Sequence, residues 1–173
     1  LQPRKNLETL ISAFSSLARA GLPGEMRLVL AGRPGWYYDR LQAAVAASGV
    51  AGRIVLPGFV DPEDLAALLS GAFAFVLPSW YEGFGLPVQE AMACGTPVIC
   101  SRVSSLPEVA GDAALLFDPG SQSELEDAMR RLLQRPSLRE EFSARSLLQA
   151  RRFTWEACAE TVMAALEAVA RKE

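Results

Sequence analysis

The sequence predicts an α/β fold in which helices cover both faces of a parallel sheet, giving three layers in the order α/β/α. Short apolar runs, typical of buried strands, alternate along the chain with amphipathic helical patterns. The joints between these runs are short, as in doubly wound domains. Half of the 173 residues are hydrophobic, which is enough for one substantial core. We therefore expect residues 1–173 to form a single domain.

Five strands are predicted from apolar runs that are bounded by turn residues. Phe73-Ala74-Phe75-Val76-Leu77 is the clearest of these runs, because Pro78 and Ser79 end it. In chain order, the predicted strands are Met26–Ala31, Arg53–Leu56, Phe73–Leu77, Pro97–Cys100 and Ala114–Phe117.

The helices are predicted from apolar stripes and from residues that favour helix ends. Asn6 is expected to cap the first helix, whose stripe is Leu7, Leu10, Ile11, Phe14 and Leu17. Pro87 suits the first turn of a later helix that Gly95 and Pro97 end. Other helix starts are predicted at Asp61-Pro62-Glu63-Asp64, at the capping boxes Ser121 with Glu124 and Ser137 with Glu140, and after Thr154.

The chain opens with a loop, Leu1–Asn6, that leads directly into the first helix. A doubly wound domain ordinarily begins with a strand. We therefore expect a strand, and further protein, to precede Leu1.

Composition excludes several function classes. A net charge of −3 argues against binding to nucleic acid or to an anionic membrane surface. No apolar run approaches the roughly 20 residues that span a bilayer. The three cysteines, Cys94, Cys100 and Cys158, lack a Cys-x-x-Cys spacing and are expected to be small buried hydrophobic residues of a reducing, cytoplasmic compartment. Histidine is absent, which removes the usual general base.

Five loops should emerge at the carboxyl ends of the strands, where open parallel sheets bind their ligands. They are also the segments richest in glycine, serine, aromatic and charged residues. These loops are Leu1–Asn6, Gly32–Trp36, Gly58–Val60, Ser79–Gly85 and Ser101–Leu106.

The segment Pro78–Glu90 carries the most specific signal. Glu82 and Glu90 lie eight positions apart, across a glycine turn that leads from a strand into a helix. The free N–H groups of that helix start favour an anion, and the two carboxylates can accept hydrogen bonds from neighbouring hydroxyl groups. The alternative on this segment alone is a tight strand–helix turn, with Glu90 favouring the helix dipole.

Four other loop motifs allow both a binding and a structural interpretation. Arg4-Lys5 precedes a helix start, which suits a bound phosphate, or it is a solvated basic pair. In Gly32-x-x-Gly35-Trp36 the tryptophan closes over a ligand or belongs to the core. Gly58-Phe59-Val60 holds a flat base or is a plain turn, and Ser104-Ser105 binds phosphate or caps a helix.

Several familiar motifs are missing. The dinucleotide fingerprint Gly-x-Gly-x-x-Gly fails because Val88 occupies the third glycine position after Gly83 and Gly85. There is no Gly-Lys-Ser/Thr phosphate loop. The acidic cluster at 61–64 is explained by helix capping, so we expect no structural metal.

A series of motifs runs in order through nearly the whole chain: Pro3–Phe14, Leu30–Gly32, Gly35-Trp36, Gly58–Val60, Pro78–Pro87, Glu90–Val98, Leu106–Val109, Gly111–Leu116 and Phe153–Trp155. These motifs resemble the C-terminal, donor-binding domain of family 4 retaining glycosyltransferases (glycosyl transferases group 1). That family has the GT-B architecture of two facing Rossmann-like domains. The resemblance implies a Rossmann-like α/β/α domain, the C-terminal half of a GT-B fold.

The resemblance also implies roles for individual residues. Lys5, with Arg4 beside it, would hold the donor diphosphate. Glu90 would accept hydrogen bonds from the ribose, and Glu82 would lie by the transferred sugar, with Glu82 and Lys5 as the catalytic pair. Backbone groups of Gly83, Phe84, Gly85 and Leu86 would contact the sugar or phosphates, and the base would lie along Gly58, Phe59 and Val60.

The function implied is transfer of mannose or another hexose from a nucleotide sugar to a glycan or lipid-linked acceptor. GDP-mannose is favoured over UDP-sugars because the opening motif and the Gly-Trp loop look most like the mannosyltransferase branch. The family needs no divalent metal and no cofactor. The acceptor-binding N-terminal domain would be the main partner, and any peripheral membrane association would occur only through it.

Two rival functions remain at this point. One is a non-catalytic nucleotide-sugar-binding or scaffold domain of the same fold, which the presence of Glu82, Glu90 and Lys5 disfavours. The other is a Rossmann-like dehydrogenase, which the missing fingerprint disfavours. In the favoured case we expect residues 1–173 alone to transfer no sugar, because the acceptor half is absent.

Overall fold

The computed structural model describes residues 1–170 and contains all five predicted strands. Each observed strand begins and ends within two residues of its predicted boundaries. The strands are β1 (Leu28–Ala31), β2 (Ile54–Gly58), β3 (Phe75–Leu77), β4 (Val98–Ser101) and β5 (Ala114–Phe117).

Helices connect the strands and cover the sheets. A 3-10 turn, Pro3–Lys5, precedes the first helix, and a second one, Ala51–Arg53, precedes β2. The α-helices are α1 (Leu7–Arg19), α2 (Tyr38–Ala47), α3 (Pro62–Gly71), α4 (Leu86–Ala93), α5 (Leu106–Ala110), α6 (Gln122–Gln134), α7 (Pro136–Ala150) and α8 (Trp155–Ala170).

The predicted caps at the two earliest helix starts are wrong in their chemistry. Asn6 adopts a left-handed conformation with φ 52°, and its side chain makes no bond to an N–H of α1. Instead its amide donates to the carbonyl of Pro119 at 3.0 Å and its oxygen accepts from Thr9 at 2.8 Å. Asp61 precedes α3 as predicted but also makes no side-chain capping bond.

The later caps give a mixed result. Ser121 accepts from the N–H of Glu124 at 3.2 Å, but the Glu124 carboxylate accepts from the N–H of Asp118 at 3.0 Å, so this capping box is only half formed. Ser137 lies inside α7, which begins before it, so the second predicted box is wrong. The helix start predicted after Thr154 is confirmed, and Thr154 caps it by accepting from the N–H of residue 157 at 3.1 Å.

The strands form two parallel sheets rather than one. Leu28 of β1 lies opposite Ile54 of β2, while β4 pairs with β3 on one side and β5 on the other. Among residues 1–170, β1 and β3 each therefore have one edge without a strand partner. A cleft of about 900 Å³, here called the intersheet cleft, is lined by both of these strands. Its walls are mostly apolar side chains of β1, α3 and the 73–77 segment.

The described residues form two apolar cores. One packs α1 and α6 against strands of both sheets, including Leu30, Ile54, Ile99 and Phe117, and the other packs α4 against β4 and α5. Cys100 is fully buried in the second core, where burial raises the pKa of its thiol to about 12 and keeps it neutral. Cys94 is half-buried and Cys158 is exposed, so the expectation of three buried cysteines is wrong for Cys158.

Helix α8 packs differently from the others, because none of its described residues is buried. Its apolar residues Val162, Met163, Leu166 and Val169 are each more than half exposed. None of the helices within residues 1–170 combines the length and apolarity needed to cross a membrane.

Candidate functional site

The 3-10 turn at Pro3–Lys5 places two cations on one buried carboxylate. Nη1 of Arg4 donates to Oε2 of Glu82 at 2.7 Å, and Nζ of Lys5 donates to Oε1 at 2.7 Å. The backbone supports the same approach, because the N–H of Trp80 donates to the carbonyl of Arg4 at 2.8 Å. Two loops that lie more than 70 positions apart in the chain are thus joined at Glu82.

Glu82 is 5% exposed, so its charge depends on these partners. The hydroxyl of Ser79, itself fully buried, donates a third bond to Oε1 at 2.6 Å. Burial alone raises the pKa of Glu82, but the hydrogen bonds from Lys5, Ser79 and Arg4 outweigh it and hold the pKa below its ordinary value of 4.5. Glu82 is therefore ionised at neutral pH.

Two serines hold the backbone of this loop. Ser104 accepts from the N–H of Glu82 at 3.0 Å, and it adopts a left-handed conformation with φ 47°. Ser105 donates to the carbonyls of Glu82 and Phe84 at 3.1 and 2.9 Å. Ser105 makes no side-chain cap for α5, so the capping interpretation of this pair is wrong.

Gly85 is the residue at which the loop turns into α4. Its φ is +100°, and a Cβ at this position would lie 2.6 Å from Cδ2 of Leu106, which is fully buried. Only glycine combines this conformation with this close approach. Within residues 1–170, the N–H groups of residues 83 to 86 donate no hydrogen bond, so they are free to bind a ligand.

Glu90 lies on α4, away from the buried cluster. It is exposed, and it lines the intersheet cleft together with Arg4 and Lys5. Glu82 is not part of the cleft lining, whereas the two cations that bond to it are. The two carboxylates thus differ in environment: one anchors the cations and the other faces the cleft.

The loop after β2 is not brought into this cluster. Phe59 is half exposed and stacks under the guanidinium of Arg33, whose carbon lies 4.3 Å from the ring centre. Gly58 accepts a hydrogen bond from the N–H of Gly32 at 2.8 Å, and neither Phe59 nor Val60 lines the intersheet cleft. Trp36 is 83% exposed, so its interpretation as a core residue is wrong.

The arrangement suits an anion flanked by hydroxyl groups. Two cations face one carboxylate, which leaves an excess positive charge beside the free N–H groups of the α4 start. Glu90 offers acceptor oxygens at the same end of the cleft. No cluster of three metal-binding side chains occurs within the described residues.

The sequence did not predict that three serines hold the loop, although Ser104 and Ser105 were considered there as a phosphate site or a helix cap. Ser79 lies three residues before Glu82. Serine hydroxyls often form hydrogen bonds with neighbouring residues of a turn, so this short spacing could have indicated the contact. Ser104 and Ser105 are more than 20 positions away, and nothing in the sequence indicates that they meet Glu82.

Comparison with known proteins gives a consistent result. The model of the family described as "Glycosyl transferases group 1" matches residues 1–148. The O-antigen chain mannosyltransferase B of Escherichia coli is 45% identical over 162 residues, which is 91% of this chain but 41% of that protein.

Solved structures show the same fold. Sucrose-phosphate synthase from Thermosynechococcus elongatus matches with a TM-score of 0.87 at 30% identity, over 99% of this chain and 44% of that one. HepE from Anabaena, solved in complex with UDP-glucose, matches with a TM-score of 0.85 at 21% identity, over 97% of this chain and 46% of that one. The chain thus spans less than half the length of each of these proteins. These neighbours confirm the predicted Rossmann-like fold of GT-B proteins.

Proposed function

The chain belongs to the group 1 glycosyltransferases, and from this we propose that it binds the nucleotide-sugar donor in a retaining hexosyltransferase. The observation that carries the proposal is the Arg4–Lys5–Glu82 cluster beside the free N–H groups at the start of α4. A donor diphosphate has the charge and the acceptor oxygens that this combination binds.

In this proposal Arg4 and Lys5 hold the diphosphate. The side chain of Arg4 is 45% exposed and that of Lys5 is 22% exposed, so both remain accessible while Glu82 holds them. Because Glu82 already holds these two long side chains in place, they lose less rotamer freedom when a ligand binds. Glu90, exposed on the same cleft, accepts the hydrogen bonds of the ribose hydroxyls.

The same groups favour the chemical step. As the glycosidic bond to the diphosphate breaks, negative charge grows on the leaving oxygen. Lys5, Arg4 and the N–H groups of residues 83 to 86 are already oriented before the reaction, so they stabilise that charge without reorganisation. This proposal needs no metal ion to neutralise the leaving group.

Glu82 is proposed to act through the two cations. Each of its oxygens already accepts at least one hydrogen bond, from Lys5, Arg4 or Ser79. Direct contact with the transferred sugar, which the family resemblance implies, would require a donor sugar hydroxyl to share or replace one of these bonds.

Mannose is the proposed sugar and GDP the proposed nucleotide. Support comes from the Escherichia coli relative, which is named a mannosyltransferase and is 45% identical. A UDP-sugar is the alternative, since HepE of the same fold was solved with UDP-glucose. The acceptor is proposed to be a glycan chain, as the name of the O-antigen relative suggests.

A calorimetric titration with GDP, UDP, GDP-mannose and UDP-glucose, in the absence of metal, tests the donor site. We expect one base to bind, and Glu90→Gln to weaken that binding about tenfold, since a hydrogen bond to a charged group contributes roughly 1.5–3 kcal/mol. Glu63→Gln, an exposed carboxylate on α3, is the matched control.

Two outcomes contradict the proposal. If Glu90→Gln and Glu63→Gln bind the nucleotide equally, Glu90 is not a ribose ligand. If the natural polypeptide that carries this chain transfers sugar at an unchanged rate with Lys5→Met, the non-catalytic scaffold function is correct for this site.

A further inference from the structure

A second cavity, of about 480 Å³, adjoins the turn that carries Arg4 and Lys5. Its lining includes Pro3, Glu8, Trp36, Tyr37, Arg40 and Trp80. The N–H of Trp80 donates to the carbonyl of Arg4, so one wall of the cavity is bonded to the backbone of the cation cluster. The donor site proposed above does not use this cavity.

Two tryptophans present large aromatic surfaces at the cavity. Trp36 is 83% exposed and Trp80 is 51% exposed, although exposing indole rings to water is unfavourable. Trp36 is supported from one side by Tyr37, whose ring lies edge-to-face at 6.1 Å and is itself buried. This support holds a flat apolar face in place before any ligand arrives.

The polar lining carries no net charge. Nε and Nη2 of Arg40 donate to the two carboxylate oxygens of Glu8 at 2.7 and 3.2 Å. The hydrogen bond from Arg40 holds the pKa of Glu8 below its ordinary value, so the pair is ionised and neutral overall at pH 7. Unused lone pairs on Glu8 and N–H groups on Arg40 can still bond to hydroxyl groups.

We propose that this cavity binds a neutral pyranose unit of a glycan. A pyranose ring has an apolar face of C–H groups, which packs on a flat indole, and a rim of hydroxyls, which both donate and accept. The two tryptophans match the first feature and the Glu8–Arg40 pair matches the second. A volume of about 480 Å³ lies within the usual range of small-ligand sites.

The position of the cavity indicates which glycan is bound. This step rests on the proposed function: if Arg4 and Lys5 hold the donor diphosphate, a sugar in this cavity lies beside the donor. A growing acceptor chain, or the product chain after transfer, would then be held there by a unit next to the one that reacts.

Fluorine NMR on 5-fluorotryptophan tests the proposal, because the chain has three tryptophans. The natural polypeptide that carries this chain is labelled, and the signals of Trp36, Trp80 and Trp155 are assigned with single Trp→Phe variants. We expect a linear α-linked mannotriose at millimolar concentration to shift the signals of Trp36 and Trp80 with one common dissociation constant. The signal of Trp155, which is 81% exposed on α8, should stay in place.

Variants make the test quantitative. Trp36→Ala and Trp80→Ala should each weaken mannotriose binding about tenfold or more, as expected of aromatic anchors. Trp155→Ala should leave it unchanged. Because both cavity tryptophans are at least half exposed, their removal should not change the thermal unfolding midpoint by more than a few degrees.

Three results would overturn the proposal. Mannotriose could leave the two signals in place, or it could shift Trp155 as strongly, which indicates non-specific contact. GDP could shift Trp36 and Trp80 in place of the sugar, which would make the cavity a base site. Mannotriose binding without any nucleotide binding would keep this inference and reject the donor proposal, so the two failures are distinguishable.

Discussion

Glu82 is a buried carboxylate that three donors, Lys5, Arg4 and Ser79, keep ionised. Replacing it by glutamine, Glu82→Gln, leaves both cations without their counter-charge. We expect a loss of roughly 1.5–3 kcal/mol in the free energy of unfolding at pH 7, the usual contribution of hydrogen bonds to a charged group. Urea denaturation of the two proteins measures this difference.

The stability difference between wild type and Glu82→Gln should change with pH in a direction that the pKa of Glu82 determines. The pKa of Glu82 is lower in the folded protein than in the unfolded chain, so its contribution is fully present above the unfolded value near 4.5. The contribution is lost as pH falls through the folded pKa. The stability difference between wild type and Glu82→Gln should therefore narrow below about pH 4.5. Glu63→Gln serves as the control, and a difference independent of pH would contradict the assignment.

Alanine substitutions at Gly85 and Gly58 distinguish the cost of backbone strain from the cost of steric overlap. Both have positive φ, at +100° and +81°, but an added Cβ meets Leu106 at 2.6 Å only at Gly85, while Gly58 has nothing within 4 Å. Gly58→Ala should cost roughly 1–2 kcal/mol of unfolding free energy from the left-handed conformation. Gly85→Ala should cost about 1–3 kcal/mol more, from overpacking.

Gly85→Ala also tests the donor site. It should weaken nucleotide binding as well as stability, because the turn orients the N–H groups of residues 83 to 86. Gly58→Ala is compared for stability only, because the family resemblance implies that the base lies along Gly58 to Val60. Equal unfolding midpoints for the two variants would contradict the predicted overlap, because the Leu106 side chain would then move to accommodate the added methyl group.

Residue types and local spacing predicted part of the site. Arg4 and Lys5 were selected because cations before a helix start oppose its dipole, and Glu82 because it lies eight positions before Glu90 across a glycine turn. The direct ion pairs of Arg4 and Lys5 with Glu82 were not predicted. They join residues that lie 78 and 77 positions apart in the chain. These contacts depend on how the β3–α4 loop packs against the Pro3–Lys5 turn, which local patterns do not encode.

At the scale of elements, strands were predicted more accurately than helix ends. Buried parallel strands appear in a sequence as continuous apolar runs, so the predicted ends of β3 and β5 lie within two residues of the observed ends. Helix α2 was not predicted, because Leu41 is its only buried residue and its apolar stripe is weak. Asn6 was assigned the wrong role because Pro119, far along the chain, competes for its side chain.

The capping boxes provide a matched pair for measurement. Ser121 accepts a hydrogen bond from the N–H of Glu124 at the start of α6, while Ser137 lies inside α7 and makes no such bond. Ser121→Ala should lower the free energy of unfolding by about 1 kcal/mol, as for other lost N-caps. Ser137→Ala should change it by less than about 0.5 kcal/mol, as an exposed substitution. Equal effects in chemical denaturation would contradict the difference between the two serines.

At the scale of the whole molecule, the intersheet cleft is the unusual feature. The fold class and all five strands were predicted, yet the strands form two sheets, with β1 and β3 facing each other across about 900 Å³ of mostly apolar space. In the doubly wound order, one more parallel strand belongs between the strands that β1 and β3 represent. Local patterns within residues 1–173 predict the strands of this sequence but contain no signal for the space between them.

Within residues 1–170 the cleft lies beside strand edges that have no strand partner. Leu1 and Gln2 line it together with β1 and β3, and its walls are mostly apolar. Unpaired strand edges and exposed apolar walls are unfavourable in water, so pairing with a further strand would stabilise both sheets.

Hydrogen exchange measures whether these strand edges are open. In residues 1–173 we expect amides of β1 and β3, which each have one free edge, to exchange faster than amides of β4, which has a strand partner on both edges. Amides of α6, which packs on α1, serve as a second reference. Equal protection of β1, β3 and β4 would contradict the open cleft, because it would mean that the free edges are covered in solution.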